Sequence, residues 1–422
     1  MKKKLAFVAT VSVAALALSG CSSASGGDSK TIELWTSWSE GEGTATALEP
    51  LIQEWADDNG YTVNQSNFTY DQIRDKLIAS AAGGNLPDVV WGLPEYVGEF
   101  SKLGILADVS DAWDSWDDAD QVSDAVKGAM TVEGQVVGFP YETTARAYLV
   151  HDDLLAQAGV TTPTTWDEVL AVGPKVEDAT SSSFYGVTGA GVREPQELLV
   201  YLAQKGLTIA SEKDGGGFEN TWADNPDELE KAAEVFQYYK DLMASGAVNP
   251  NSATYGWEDT DENFATGLTA SFVTGNWLAE RETTNADAMA DVSVHPIPYP
   301  EDGEPATYIE SKPVFTMAGS DSIEASTELA QQFASQEWQE AGFADRSALS
   351  SVSTDSKWSK DFASLVDTGV TYPPISLGEV TQDMIDALAM VLQNGDSPED
   401  AALWLSDAVN QALETSGDAA GE

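Results

Sequence analysis

Four of the thirteen tryptophans fall where strands end or loops join elements: Trp38, Trp91, Trp257 and Trp277. Each has polar company: Ser39 and Glu40 after Trp38, Glu95 and Tyr96 after Trp91, Glu258 and Asp259 after Trp257, and Asn276 before Trp277. An indole beside carboxylates and amides suits a ligand with apolar C–H faces and a polar rim. A pyranose ring is such a ligand: the aromatic face takes its C–H surface, and the acids take its hydroxyls in charge-assisted hydrogen bonds. Trp55, Trp166, Trp338 and Trp404 lie inside helical patterns, where packing is the expected role.

Other chemistries have less material. The chain holds two histidines, His151 and His295, and one cysteine, with no nucleophile motif and no metal-ligand spacing. No catalytic residue, metal or cofactor is therefore expected. Seventy carboxylates could furnish a hydrolytic pair by number alone, so an anchored glycoside hydrolase stands only as the less favoured alternative. A net charge of −50 with five scattered arginines repels nucleic acid and anionic lipid. That field suits a neutral or a cationic ligand, and a polyamine is the second alternative.

The elements that must carry these residues alternate. Met1-Lys2-Lys3-Lys4 and an apolar run from Leu5 to Leu18 form a secretory signal pattern, too short to span a bilayer. Ser22 to Gly27 read as a flexible tether, and residues 21–30 are assigned to it. Loss of residues 1–20 leaves 17 basic against 70 acidic side chains, a net of −53. From Thr31 the pattern predicts strand, helix, strand, helix, strand, ending at Val89-Val90-Trp91. This is the α/β doubly wound signature, whose ligands bind beyond the carboxyl ends of the strands. Thr165 to Glu168 predict a capping box, and Asn225-Pro226 open a helix with a core stripe of Leu229, Ala233, Phe236, Tyr239 and Met243. Leu268 to Thr274 predict a packed strand, after which Gly275 lets the chain turn and lift Trp277 toward a cleft.

Several stretches resemble, in order, the solute-binding proteins of carbohydrate ABC importers, a maltose-binding-protein-like family. They are "GGNLPDVVWGLPEYVGEFSKLGILADVSD", "VEGQVVGFPYETTARAYLVHDDLLAQAGV", "TTPTTWDEVL" and "FATGLTASFVTGNWLAE". In front of them, Leu18-Ser19-Gly20-Cys21 resembles a lipobox, which implies diacylation of Cys21. The resemblance implies a two-lobe periplasmic-binding-protein-like fold (type II) with the ligand cleft between lobes. Lobe one is expected over 31–142 plus 312–367, and lobe two over 146–308 plus 371–415.

The same likeness implies roles. Trp277 stands where relatives stack a tryptophan on sugar, and Glu95 where they carry an acidic ligand contact. Trp38, Ser39 and Glu40 lie in a loop that supplies polar contacts. Glu142, Thr144 and Arg146 lie in the first crossover, which relatives use to reach the ligand, so all three are expected ligand contacts, with an interlobe ion pair the alternative for Arg146; Glu310 and Lys312 lie near the second, serving ligand or hinge. Two departures turn the reading away from maltodextrin: "PPISLGEVTQ" has no aromatic, and Gln196 replaces one. Trp91 or Trp257 is expected to supply the missing platforms. The resulting expectation is a lipid-anchored, non-enzymatic monomer on the outer face of the cytoplasmic membrane that passes an oligosaccharide to ABC permease subunits.

Overall fold

The computed structural model describes residues 30–37, 43–68, 70–187, 194–255, 257–355 and 358–421. The expected signal segment, Cys21 and the tether as far as residue 29 lie outside the described residues, as do Trp38, Ser39 and Glu40.

Ten strands build two principal sheets: β1 (Thr31–Thr36), β2 (Thr62–Asn67), β3 (Val89–Trp91), β4 (Gly138–Ala145), β5 (Ala147–His151), β6 (Ser183–Gly186), β7 (Thr269–Thr274), β8 (Val292–His295), β9 (Thr307–Thr316) and β10 (Gly369–Val370). The first sheet runs β10-β9-β3-β1-β2, with β4 added on β9. β1 is parallel to both β2 and β3, whereas β9 is antiparallel to β3 and β4. The second runs β8-β5-β7-β6.

In β1 the alternation of a one-sided strand is visible: Ile32, Leu34 and Thr36 are buried and the residues between them are not. The whole of β7 is buried. Leu268, expected to pack with it, precedes the strand and is 62% exposed, although its carbonyl still accepts from the Ser183 N–H. The helix Pro226–Ser245 starts on Asn225, whose side chain accepts from the Asp227 N–H, and stops at Gly246 with φ +80°. Its buried stripe is Ala232, Val235, Phe236, Tyr238, Tyr239 and Leu242. Of the expected stripe, Phe236 and Tyr239 are in it, while Leu229, Ala233 and Met243 pack partly buried against the same core. At the Thr165 start, Thr165 Oγ1 accepts from the Glu168 N–H, while the Glu168 carboxylate accepts from the Thr164 N–H.

The chain passes between the sheets through very short connections. β4 leads through Arg146 directly into β5 of the other sheet, and the chain returns between His295 and Thr307 into β9. After β10, Tyr372, Ile375 and Leu377 join the core that also holds Val150 and Val273 of the second sheet. Away from these connections, the helix Val97–Lys102 of the first sheet touches that second unit. A Cβ on Gly98 would lie 2.3 Å from the Ile375 carbonyl oxygen, and Lys102 Nζ pairs with Asp418 Oδ1 at 3.1 Å.

Candidate functional site

Between the sheets, β4 and β9 form a two-stranded ribbon whose register sets Glu142 opposite Lys312 and Thr144 opposite Glu310. Side chains two apart share one face of a strand, so Glu142, Thr144 and Arg146 line up beside Tyr308, Glu310 and Lys312. Thr143 and Ser311 belong to the other face, where their hydroxyls meet at 3.1 Å. The period-2 spacing in "ETTAR" and "YIESK" thus produces a polar ladder.

The ladder is closely paired. Lys312 Nζ donates to Glu142 at 2.8 Å, and Arg346 Nε lies 3.2 Å from the same carboxylate. Burial alone would raise the Glu142 carboxyl, but these two cations outweigh it and hold it below its ordinary value. Arg146, 5% exposed, donates from Nη2 to Gln196 Oε1 at 2.6 Å and lies 3.7 Å from Glu310. Its guanidinium also sits 4.6 Å from the Trp277 ring centre and 5.4 Å from that of Tyr308. The Arg146 ion pair thus lies within the ribbon, with Glu310, rather than between lobes, and the guanidinium faces the Trp277 and Tyr308 rings.

Trp277 is half-buried on a 3-10 turn, Asn276–Thr283, directly after β7. Its Nε1 donates to Asp261 Oδ2 at 3.0 Å, and Asp261 is itself 2% exposed. Gly275 does not turn the chain as expected: its φ of −100° and ψ of 172° are ordinary extended backbone. Its function is the missing side chain, because a Cβ there would fall 1.8 Å from Trp277 Cζ3. The indole lies directly against the glycine.

Glu95 enters from the first sheet. Gly92 N–H donates to Pro313 O at 2.8 Å, ending β3, and Pro94 opens the 3-10 turn that carries Glu95. Burial first and then the nearby Glu310 carboxylate push Glu95 up to about 7, with Arg146 and Lys312 pulling against them. These approaches bring Glu95, Glu142, Thr144, Arg146, Trp277 and Glu310 together.

Trp91 is not among them. It is 3% exposed, stacked at 4.2 Å on Tyr141 and flanked by Phe333 and Phe343, so it is core and offers no ring face to a ligand in this structure. Trp257 opens the helix Trp257–Ala265, with its side chain outside the described set. The site also contains residues that the sequence reading did not select: Asp261, Tyr308, Tyr372 and Arg346. Tyr308 was reachable, being two residues before Glu310 and hence on its face. Thr144 further lines a cavity of about 440 Å³ with Asn276, Arg346, Ser350 and Asp367. Asn276 Nδ2 donates to the Asp345 carbonyl at 2.6 Å, tying the Trp277 turn to the first sheet's side.

Elsewhere, Ser293 lies 2.7 Å from His295 Nε2, but its hydroxyl donates to Asp152 at 2.9 Å. A nucleophile relay needs the acid on the histidine, so this order is not that of a Ser-His-Asp triad. Among the described residues no group of His, Cys, Asp and Glu could hold a metal ion. No described helix is long and apolar enough to cross a membrane.

Comparison places this fold among known proteins. The profile of the bacterial extracellular solute-binding protein family matches residues 51–368. The GacH receptor of Streptomyces glaucescens GLA.O, solved unliganded and with acarbose, superposes with a TM-score of 0.73 at 22% identity, covering 91% of this chain and 98% of that one. A cyclic α-maltosyl-1,6-maltose binding protein from Arthrobacter globiformis gives 0.74 at 23%, with coverage of 91% and 99%. The sugar-binding protein MalE of Xanthomonas citri gives 0.74 at 19%, with 91% and 98%. At these identities the likeness shows the fold, the two-lobe arrangement expected above. An uncharacterized lipoprotein from the oleD 5' region of Streptomyces antibioticus is 28% identical over 202 residues, 46% of this chain. The chain aligns with less than half, 43%, of that relative's length.

Proposed function

Because the chain belongs to the bacterial extracellular solute-binding protein family, we propose that it captures a neutral oligosaccharide between its lobes and delivers it to the permease of an ABC importer. The observation that carries this reading is the charge-balanced ladder beside an indole. Glu95, Glu142 and Glu310 face Arg146, Lys312 and Arg346, giving hydroxyl-binding groups of both kinds without a net excess of either sign. A polyamine would meet Arg146 and Lys312 in the same space, which disfavours it.

In this reading the lobes comprise residues 31–142 plus 312–367 and 146–308 plus 371–415. Their movement about the β4–β9 ribbon closes the cleft. Ligand contacts both lobes only when closed, so binding shifts the population toward the shape that a permease recognises. Trp277, Glu95, Thr144, Arg146 and Glu310 make ligand contacts, joined by Trp38, Ser39, Glu40 and Trp257 from the surrounding loops. Glu142, already held by two cations, positions the ribbon. Cys21 carries the lipid anchor at the head of the 21–30 tether, which holds the protein at the outer face of the membrane.

The magnitudes agree with reversible capture. A disaccharide-sized ligand at about 0.3 kcal/mol per heavy atom gains roughly 7 kcal/mol, near micromolar affinity. Calorimetry against maltotetraose, acarbose, cyclic α-maltosyl-1,6-maltose and spermidine tests the reading. Binding of a sugar in the micromolar range supports it, and binding of spermidine alone replaces it.

A further inference from the structure

Around the ladder, four buried polar atoms have no hydrogen-bond partner among the described residues: Glu95 Oε2, Arg146 Nε, Tyr308 Oη and Tyr372 Oη. They belong to one cluster. The Tyr308 and Tyr372 rings meet edge to face at 5.6 Å, and Arg146 lies over the Tyr308 ring. Burial first, and then the Glu95 carboxylate, push both phenols well above their usual range, with Arg146 opposing.

The four come from different parts of the molecule. Glu95 follows β3 of the first sheet, and Tyr372 sits in the core of the second. Arg146 follows β4, and Tyr308 lies on β9. Buried polar groups are nearly always paired, and a group left unpaired is costly, so four such atoms at one point mark a place where partners are brought from outside.

Their chemistry defines that partner. Arg146 Nε can only donate, Glu95 accepts when ionised and also donates when protonated, and the two phenols can do either. An anionic group would face Glu95 and Glu310, and an ammonium would face Arg146. A hydroxyl both accepts and donates, and neighbouring hydroxyls on one ring can serve all four atoms. We propose that Glu95, Arg146, Tyr308 and Tyr372 form the innermost subsite of the cleft and bind adjacent free hydroxyls of a single sugar unit. This rests on the sugar-binding reading, and it adds Tyr308 and Tyr372 as specificity-determining residues. It also gives closure a cause: bringing the lobes together without sugar strands these groups, and sugar satisfies them.

The test uses the full chain and its Tyr308→Phe and Tyr372→Phe variants, which remove one hydroxyl and keep the ring. Thermal unfolding without ligand and calorimetry with maltotetraose, acarbose and cyclic α-maltosyl-1,6-maltose are measured on all three. The expected result is an unchanged or raised ligand-free Tm with at least fivefold weaker binding of whichever sugars the wild type takes. Sugars that bind both variants as tightly as wild type overturn the subsite and leave the sugar-binding reading standing. A ligand-free Tm lowered by several degrees also overturns it, since each hydroxyl would then have a partner within the protein. If neither these three nor any sugar of a wider glycan panel binds the wild type, both fall together.

Discussion

Arg146 holds its guanidinium 4.6 Å from the centre of the Trp277 ring, while the indole Nε1 donates to Asp261 at 3.0 Å. A cation over the ring and a carboxylate at its edge fix the indole before any ligand arrives, which lowers the ordering cost of binding. Trp277→Ala is expected to weaken sugar binding at least tenfold with the fold retained. Trp277→Phe keeps a ring but drops the Asp261 bond, and should fall between the two. Calorimetry paired with far-ultraviolet circular dichroism checks both.

Gly275 gives a sharper test of how that indole is placed. Its backbone is extended, so alanine meets no conformational penalty there, yet the added methyl would occupy the space of the six-membered ring. Gly275→Ala is expected to displace the indole, shifting its fluorescence and weakening sugar binding about tenfold, with a stability loss of about 1–3 kcal/mol. An unmoved spectrum with wild-type affinity would mean that the Trp277 position does not depend on the glycine.

The ribbon's stability should follow Glu142. Its folded carboxyl lies below its ordinary value, so its contribution is present above that value and is lost as pH falls through the folded one. Glu142→Gln leaves Lys312 and Arg346 facing each other without their acid and is expected to cost about 2–3 kcal/mol near pH 7. Urea titrations should show the wild type and the variant converging as pH falls below the ordinary carboxylate range.

Glu95 should behave in the opposite sense. Its folded carboxyl is raised to about 7, so the folded protein holds this proton more tightly than the unfolded chain does. Stability from this group is present below the unfolded value and is lost as pH rises through about 7. Glu95→Gln removes that loss. Its Tm relative to wild type, both without ligand, is expected to rise between pH 5 and pH 8; a difference that is flat across this range would contradict the assignment.

Much of the frame was legible in the sequence, because hydrophobic alternation and helix caps are local signals. The first three strands, the Asn225 start and the Gly246 stop all follow from residues a few positions apart. The site was legible only in part. Glu95 and Trp277 could be picked by residue type near strand ends, whereas Arg146 and Glu310 followed only from the resemblance to the family. The resemblance marked Gln196 only as a replaced aromatic, and Asp261 and Tyr372 could not be picked, since one sits on a helix whose orientation no local pattern sets and the other meets Tyr308 from a distant segment. Trp91 shows the converse error: a tryptophan at a strand end with acids after it reads as a platform, but Tyr141 and Phe333 from distant segments cover it. A glycine in sequence signals freedom of φ and predicts a turn at Gly275, whereas in the structure only the absent Cβ matters.

The central claim is that a neutral sugar closes this protein about the β4–β9 ribbon. Small-angle X-ray scattering of the full chain, with and without the sugar that calorimetry ranks tightest, tests it directly. The account predicts a smaller radius of gyration with sugar and no such change for Trp277→Ala at the same sugar concentration. A radius unchanged at saturating sugar, or one that contracts with spermidine instead, would contradict it.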